Sequence, residues 1–232
     1  MKTLGIIGGM SWESTALYYR MINDLIRERL GGQHSASLIL HSLDFAEIEQ
    51  LQSRGDWEGS AQILCTAAKG LEVAGAELLL IATNTMHLVA PQVAAAVDIP
   101  LLHIAAATGR HINSLGIERV GLLGTSFTME QGFYKNYLRD NFGLDVLVPD
   151  DDARVEIHRV IYDELCLGRV DDSSRQMFCQ QIETLQQAGA EAVILGCTEI
   201  GLLITEADVV VPLLDTTRIH TQAAVEQMLS SH

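Results

Sequence analysis

Two short polar segments carry the side chains that could do chemistry, and each follows a run of aliphatic residues. These segments are Thr83-Asn84-Thr85 and Cys197-Thr198-Glu199. A thiolate suits the removal of a weakly acidic carbon-bound proton, because the pKa of a free thiol, roughly 8.5, can be lowered at a helix N-terminus. The hydroxyl of Thr83 is far too weakly acidic to ionise at neutral pH, although it can donate a hydrogen bond or relay a proton. The residue types therefore predict one catalytic base, Cys197, and one proton donor, Thr83.

The remaining cysteines and the histidines predict no second centre. Cys65, Cys166 and Cys179 lack the Cys-x-x-Cys spacing, so we expect free thiols packed in the core. The eight histidines are scattered, without the short spacing that a zinc site needs. The opening glycines lack the Gly-x-Gly-x-x-Gly pattern of a dinucleotide loop. The sequence thus predicts neither a metal nor a bound cofactor.

The composition argues against several classes of partner. The net charge of −15 disfavours nucleic acid and anionic membrane surfaces, because both attract a basic footprint. No segment reaches the roughly 18 consecutive apolar residues of a membrane span. The N-terminus lacks the apolar stretch and the cleavage site of a signal peptide. We therefore expect a cytoplasmic protein whose partner is a small molecule.

Aliphatic runs alternate with amphipathic stretches along the chain, a pattern typical of a parallel sheet covered by helices. The predicted strands are 3–8, 36–41, 77–82, 119–124, 144–148 and 191–195. The predicted helices are 12–30, 57–74, 127–141, 154–166 and 172–187. The sequence therefore predicts an α/β fold.

An internal repeat divides the chain into two halves. Three pairs of segments match in the same order at separations of 116, 114 and 112 residues: Leu4–Gly8 with Val120–Gly124, Ala74–Thr83 with Ala188–Cys197, and Ile99–His103 with Val211–Asp215. The repeat predicts two similar lobes, each a mostly parallel sheet covered by helices, with repeat units of about 1–116 and 117–232.

Duplication places Thr83 and Cys197 at equivalent strand ends. Ligands of open α/β sheets bind outside the carboxyl ends of the strands. We therefore expect the active site in the cleft between the lobes, with the two residues on opposite sides of one ligand. A reaction that benefits from two opposed groups is inversion at an α-carbon, in which one group removes the α-proton and the other supplies a proton to the opposite face.

Three segments resemble motifs of the aspartate/glutamate racemases. The run Val193–Ile200 contains the Gly-Cys-Thr-Glu signature, Ile81–His87 is similar to the Cys-Asn-Thr-x-His signature, and Gly8–Thr15 is similar to the start of these proteins. The resemblance implies two lobes, racemisation of an amino acid without pyridoxal phosphate, and a homodimer. It also implies that the C-terminal helix returns to the first lobe, which gives domain bounds of 1–98 plus 214–232 and 99–213.

The resemblance further implies roles for individual residues. Cys197 would deprotonate an L-amino acid, as the second cysteine does in this family. The other residues that it places around the substrate are Met10 and Thr125 in the lining, Gln52 at the side chain, Asn84, Thr85 and Met86 at the α-carboxylate, and Thr198 and Glu199 at the ammonium group. His87 is open to a structural or a catalytic role.

The sequence departs from the family pattern at Thr83, where the family has its first cysteine. We therefore expect exchange of the α-proton of the L-substrate to outpace net inversion. Arg54 and Arg159 are candidates for binding a distal carboxylate, but no motif selects either. A broad-specificity racemase that favours neutral or hydroxylated substrates such as homoserine is therefore an alternative, as is a relative that acts on other α-acidic acids. An alternative of another class is a non-catalytic amino-acid-binding protein.

Overall fold

Within residues 1–230, which the computed structural model describes, the chain forms two compact units, each with its own sheet. The first unit contains Met1–Ile104 and the segment that begins at His220, and the second contains Ala105–Ile219. The bounds expected from the sequence, at residues 98 and 213, lie six residues before these two crossings (104 − 98 and 219 − 213).

The first unit alternates strands with helices. Its elements are β1 (Leu4–Gly8), α1 (Trp12–Leu30), β2 (Leu38–Ser42), α2 (Phe45–Ser53), α3 (Trp57–Val73), β3 (Leu78–Ile81), a 3₁₀ helix (Thr85–Val89), α4 (Ala90–Ala95) and β4 (Leu101–Leu102). The strands lie in the order β2-β1-β3-β4, and all three pairings are parallel.

The second unit repeats this arrangement. Its elements are α5 (Ile104–Ser114), β5 (Arg119–Gly124), α6 (Ser126–Glu130), α7 (Gly132–Phe142), β6 (Asp145–Leu147), α8 (Asp151–Asp163), a 3₁₀ helix (Leu165–Leu167), α9 (Asp172–Gln187), β7 (Ala192–Gly196), α10 (Ile200–Leu203) and β8 (Leu213–Asp215). The final helix α11 (Thr216–Leu229) belongs to the first unit from His220 onwards. The strand order β6-β5-β7-β8 matches that of the first sheet, and the pairings are again parallel. The predicted α/β fold of two parallel-sheet lobes is confirmed.

The sheet of the first unit is buried on both faces. Successive side chains of a strand point to opposite faces, so Ile7 packs in one apolar cluster with residues of α3, while Leu4 and Ile6 pack in another with Tyr18 of α1. The second cluster also contains Ala224, Val225 and Met228 of α11. Strands covered on both faces read as continuous aliphatic runs, which is why the sequence shows them clearly.

Equivalent residues of the two repeats make equivalent contacts. Gly75 and Gly189 follow α3 and α9, and both have a φ of 99°, a left-handed conformation that favours glycine. The carboxylate of Glu77 accepts a hydrogen bond from the backbone N–H of Thr3, and that of Glu191 accepts one from the N–H of Arg119. Each glutamate thereby ties the start of its own strand to the start of the neighbouring strand.

One predicted element differs from the structure. The sequence predicts a single helix over 127–141, but the structure contains α6 and α7, which are separated at Gln131. Gln131 has an extended backbone, with φ −77° and ψ 144°, so it ends one helix and begins the next. Within residues 1–230, no helix is long and apolar enough to span a membrane.

Candidate active site

The carboxyl end of β1 is built for close packing against α1. A Cβ on Gly8 would lie 2.5 Å from Cγ2 of Thr15, so only glycine leaves room for the first turn of the helix. The Thr15 hydroxyl accepts a hydrogen bond from Gly9 N–H at 2.8 Å and donates one to Ser11 C=O at 2.8 Å. Met10, between them, is 6% exposed and belongs to the same apolar cluster as Met86.

The segment after β3 presents Thr83 at its first partly exposed position. Thr83 is half-buried, whereas Asn84 and Thr85 are buried. The 3₁₀ helix that follows is held by the backbone N–H of His87, which donates to Asn84 C=O at 3.0 Å. The structure therefore places Thr83, Asn84 and Thr85 on one short turn at the carboxyl edge of the first sheet.

Gln52 joins this part of the first unit through α2. Its side chain is 4% exposed, and Nε2 lies 2.9 Å from Sδ of Met86. A thioether sulfur is a weak acceptor. Of the residues predicted to bind substrate, Met10, Gln52 and Met86 thus lie together.

The carboxyl end of the second sheet carries the thiol. Gly124 and Gly196 are paired across β5 and β7, so Thr125 and Cys197 follow neighbouring strand ends. Thr125 caps α6, and its hydroxyl oxygen accepts a hydrogen bond from Thr128 N–H at 3.3 Å. Cys197 is partly exposed at the end of a buried strand.

Cys197, Thr198 and Glu199 form one hydrogen-bonded group. The Cys197 thiol donates to Oε2 of Glu199 at 3.0 Å, and the Thr198 hydroxyl donates to the same oxygen at 2.6 Å. Glu199 is only 4% exposed. A buried carboxylate that accepts two such bonds is held in one orientation beside the sulfur.

The expected lowering of the pKa of the Cys197 thiol is wrong. Burial raises the pKa of Cys197 well above its usual value, and the Glu199 carboxylate and the Cys166 thiol raise it further. The helix that follows, α10, has only four residues and begins after Glu199. Its weak dipole does not outweigh a full negative charge in contact with Sγ.

His87 is fixed between two backbone groups of the first unit. Its ring is 1% exposed, with Nδ1 2.8 Å from Thr83 O and Nε2 3.1 Å from Ile104 N. Burial, followed by the neighbouring His103 and His220, lowers the pKa of His87 well below its usual value. The ring is therefore neutral at physiological pH. The sequence motif marked this residue, but its partner Ile104 lies 17 positions further along the chain and could not be read from the motif.

The two candidate cations for a distal carboxylate differ in their surroundings. The Arg159 guanidinium donates to the carboxylate of Glu156 at 2.7 Å and to that of Glu164 at 2.9 Å, and these hydrogen bonds raise its pKa. Its charge is already balanced by two carboxylates. Arg54 is exposed and forms the C-cap of α2, two positions after the buried Gln52.

Among residues 1–230, no three His, Cys, Asp or Glu side chains are grouped closely enough to hold a metal ion. Cys65 packs against the apolar cluster of the first unit, and burial raises its pKa. Burial also raises the pKa of Cys179, whose Sγ lies 3.9 Å from Asp208 O.

Comparison with known proteins adds independent information to this geometry. The family model described as Asp/Glu/Hydantoin racemase matches residues 7–224. A crystal structure of a candidate Asp/Glu racemase from Yersinia pestis is 52% identical, with a TM-score of 0.93 over 99% of this chain and 100% of that one. An aspartate racemase homologue from Pyrococcus horikoshii OT3 is 39% identical, with a TM-score of 0.86 over 99% of this chain and 100% of that one.

A more distant relative matches over nearly its full length. The broad specificity amino-acid racemase RacX of Bacillus subtilis (strain 168) is 20% identical over 98% of both chains. Because the family model covers most of the chain and two structures above 30% identity cover nearly all of it, the chain belongs to the Asp/Glu/hydantoin racemase family of isomerases.

Proposed function

We propose that this protein is a cofactor-independent racemase of aspartate- or glutamate-like L-amino acids, with Cys197 as the base and Thr83 as the proton donor. The observation that carries the proposal is the contact of 3.0 Å between the Cys197 thiol and the Glu199 carboxylate at the end of β7. Mere binding of an amino acid does not require a thiol in hydrogen-bond contact with a buried carboxylate.

The carboxylate gives the thiol a ligand-dependent acidity. In the free protein Glu199 stabilises the neutral thiol, because the thiol donates to it and a thiolate would be repelled. We propose that Thr198 and Glu199 bind the substrate ammonium group. The positive charge of the ammonium would then lie beside Sγ and favour loss of the thiol proton to solvent. The base would form only when substrate is bound.

The first chemical step breaks the Cα–H bond and forms an S–H bond. The electron pair stays on the substrate and spreads into its carboxylate, which we propose is bound by Asn84, Thr85 and the backbone around Met86. Donors aimed at a carboxylate stabilise the charge that develops on it.

In the second step Thr83 would supply a proton to the opposite face of the α-carbon. Its O–H bond breaks as the new Cα–H bond forms, and the hydroxyl oxygen regains a proton from water. An alkoxide is a costly intermediate compared with a thiolate. We therefore expect return of the proton from Cys197 to the same face to be faster than inversion.

This asymmetry does not make the enzyme a one-way catalyst. The two enantiomers have equal free energy in water, so kcat/KM must be equal in both directions. The hydroxyl instead changes the ratio of α-proton exchange to inversion. That ratio is the quantity that identifies the role of Thr83.

A broad-specificity racemase that favours neutral or hydroxylated substrates is the second candidate. It is supported by Arg159, whose guanidinium already contacts two carboxylates, and by Gln52, an uncharged buried amide in the predicted site. A homoserine side chain could hydrogen-bond to an amide without a cation. Both candidates use the same thiol and differ only in the side-chain subsite.

The test is proton NMR in D₂O without added cofactor, with each enantiomer of aspartate, glutamate and homoserine. We expect the α-proton signal of an L-substrate to disappear, and the signal to persist with Cys197→Ala. Cys179→Ala removes another partly buried thiol of the same unit and should exchange like wild type. Exchange that survives in Cys197→Ala would refute the assignment of the base. Binding of an amino acid with no exchange would favour a binding protein.

The family resemblance also implies a cytoplasmic homodimer, with domains of 1–98 plus 214–232 and 99–213. We propose these as working assignments. Light scattering after size-exclusion chromatography would test the dimer against the 25.3 kDa mass of one chain.

A further inference from the structure

The imidazole of His87 has a single tautomer that fits its two contacts. The backbone N–H of Ile104 can only donate, so Nε2, 3.1 Å away, must accept and carry no proton. The ring proton then lies on Nδ1, which donates to Thr83 C=O at 2.8 Å. Protonation of Nε2 would leave two N–H groups facing each other in a buried place.

A second buried histidine supports the same strand end. Nε2 of His220 donates to Leu102 C=O at 3.0 Å, and its Nδ1 accepts from the Tyr18 hydroxyl at 2.9 Å. Measured between ring centres, the ring of His87 lies 5.9 Å from that of His220 and 4.6 Å from that of His103. The carboxyl end of β4 is thereby fixed, and Ile104 lies two residues after Leu102, the last residue of this strand.

His87 connects this fixed strand end to the turn that carries Thr83. Its ring accepts from the first residue of α5 and donates to the carbonyl of Thr83, while its own N–H donates to Asn84 C=O. Two backbone carbonyls of the turn are therefore oriented by one residue. The orientation of the Thr83 peptide also sets where the Thr83 side chain leaves the backbone.

The equivalent position of the second repeat carries a glycine. Thr83 and Cys197 are 114 positions apart, and the same separation pairs His87 with Gly201. Glycine has no side chain with which to hold the turn, and that turn is instead held by hydrogen bonds from Cys197 and Thr198 to Glu199. The support by an imidazole is thus specific to the turn that carries the Thr83 hydroxyl.

We propose that His87 is a positioning residue for Thr83: its neutral, Nδ1-protonated ring fixes the Thr83–Asn84 turn so that the hydroxyl is held for proton delivery. The inference rests on the proposed function, because it assumes that Thr83 supplies the proton for inversion. A hydroxyl that delivers a proton must be placed within hydrogen-bond reach of the acceptor, and small displacements cost much rate.

Two substitutions separate this role from simple packing. In His87→Asn the amide nitrogen replaces Nδ1 and keeps the donation to Thr83 C=O. In His87→Gln the longer amide reaches the place of Nε2 and keeps an acceptor for Ile104 N–H, but it loses the donor to Thr83. Each variant keeps one of two hydrogen bonds, so we expect similar losses of thermal stability.

The readout is the ratio of inversion to α-proton exchange from the L-substrate. We expect His87→Asn to keep the wild-type ratio within about twofold, and His87→Gln to lower it roughly tenfold or more because the hydroxyl is misplaced. Exchange itself depends on Cys197 and should persist in both. Equal ratios in the two variants, whether lowered or unchanged, would overturn the proposal.

A measurement on the wild-type protein stands even where a variant fails to fold. The ¹⁵N shifts of His87 should show a neutral ring protonated at Nδ1 between pH 6 and pH 8. A ring protonated at Nε2, or a charged ring, would overturn the proposal. Failure of the proposed function looks different, since the wild-type protein would then show no Cys197-dependent exchange.

Discussion

The turns after β3 and after β7 occupy equivalent positions in the two repeats, yet they are held together in different ways. The turn of Thr83 is fixed from its backbone, by an imidazole that donates to its carbonyl. The turn of Cys197 is fixed from its side chains, by a thiol and a hydroxyl that both donate to the Glu199 carboxylate. Duplication thus preserved the backbone position of the chemical group while the supporting contacts diverged.

The difference in support fits the difference in chemistry. In the proposed mechanism, a thiol that must ionise benefits from a neighbouring carboxylate that can bind an incoming ammonium group, since the pKa of the thiol would then respond to substrate. A hydroxyl does not ionise in its working range, so electrostatic tuning gains little there and placement matters most. Substitutions that convert one turn towards the other therefore test this difference.

The largest effect should follow from making the second turn resemble the first. Cys197→Ser keeps the size of the side chain and replaces the thiol with a hydroxyl. Because a hydroxyl is too weakly acidic to act as the base, we expect α-proton exchange to fall by about 10³-fold. The measurement is proton NMR in D₂O with the L-substrate at a saturating concentration.

Exchange by Cys197→Ser at a rate within tenfold of wild type would mean that another group removes the proton. The matched control is Cys179→Ser, which makes the same change in α9 of the same unit. It should leave exchange unaltered.

The converse change makes the first turn resemble the second. We expect Thr83→Cys to raise the rate of inversion roughly tenfold or more, because a thiol donates a proton far more readily than a hydroxyl does. Exchange from the L-substrate should change little. Circular dichroism gives the inversion rate and NMR gives the exchange rate on the same sample.

Thr83→Ser serves as the control, because it keeps the hydroxyl. If Thr83→Cys inverts its substrate no faster than wild type, Thr83 lies outside the proton path. The His87 proposal would then lose its basis, although the assignment of Cys197 would stand.

A smaller effect concerns the acidity of Cys197 in the free protein. Glu199 raises the pKa of this thiol, so Glu199→Gln should lower it and increase the thiolate fraction at pH 7.5. We expect carboxamidomethylation of Cys197 by iodoacetamide to accelerate about tenfold, as followed by peptide mass spectrometry. In wild type the reaction should be slow at pH 7.5 and should rise steeply with pH.

Glu206→Gln removes the same charge from an exposed position of the second unit and should not change the reaction. Slower alkylation of Glu199→Gln would contradict the assigned direction. It would indicate that the carboxylate activates the thiol even without a ligand.

The sequence predicted the architecture well because the strands are aliphatic runs and because matching segments occur in the same order in the two halves of the chain. The pattern of aliphatic and amphipathic stretches did not predict α2, α5 or α11, although the family resemblance implied a C-terminal helix. The buried positions of α11 include Thr216, Thr217, His220 and Thr221, so this helix shows no apolar periodicity. The expected direction for the pKa of Cys197 was also wrong, because the thiol is buried and the Glu199 side chain turns back onto the sulfur. Contacts made by side-chain rotamers, and contacts between distant positions such as His87 and Ile104, are set by tertiary packing and leave no local pattern.

The ends of β4 and β8 extend the comparison to the stability of the protein. The repeat pairs His103 with Asp215. Burial lowers the pKa of His103 to about 4 and raises that of Asp215 above its usual value. Both groups are thus shifted towards their neutral forms, but acidification acts on them with opposite signs.

For His103 the unfolded chain, with a pKa near 6.5, binds the proton more readily than the folded protein does. The contribution of His103 to the free energy of unfolding is therefore fully present above pH 6.5. As the pH drops from 6.5 to about 4, this contribution falls by about 1.4 kcal/mol per pH unit. His87 and His158, whose pKa values are also lowered by burial, add to this slope. For Asp215 the sign is reversed, since its raised pKa favours the folded state at low pH and the gain is lost as the pH rises through that pKa.

Urea unfolding of wild type and His103→Gln between pH 7.5 and pH 5 would test this assignment. The two tryptophans, Trp12 and Trp57, both belong to the first unit, so their fluorescence reports on the unit that contains His103. The variant can be less stable at pH 7.5 because packing is lost, but its free energy of unfolding should depend less on pH. The informative quantity is this difference in slope, since effects that are equal at every pH cancel in it. Parallel pH dependences in the two proteins would mean that His103 has the same pKa in the folded and unfolded states. The replacement of Asp215 by His103 at the equivalent strand end would then have no effect on how stability depends on pH.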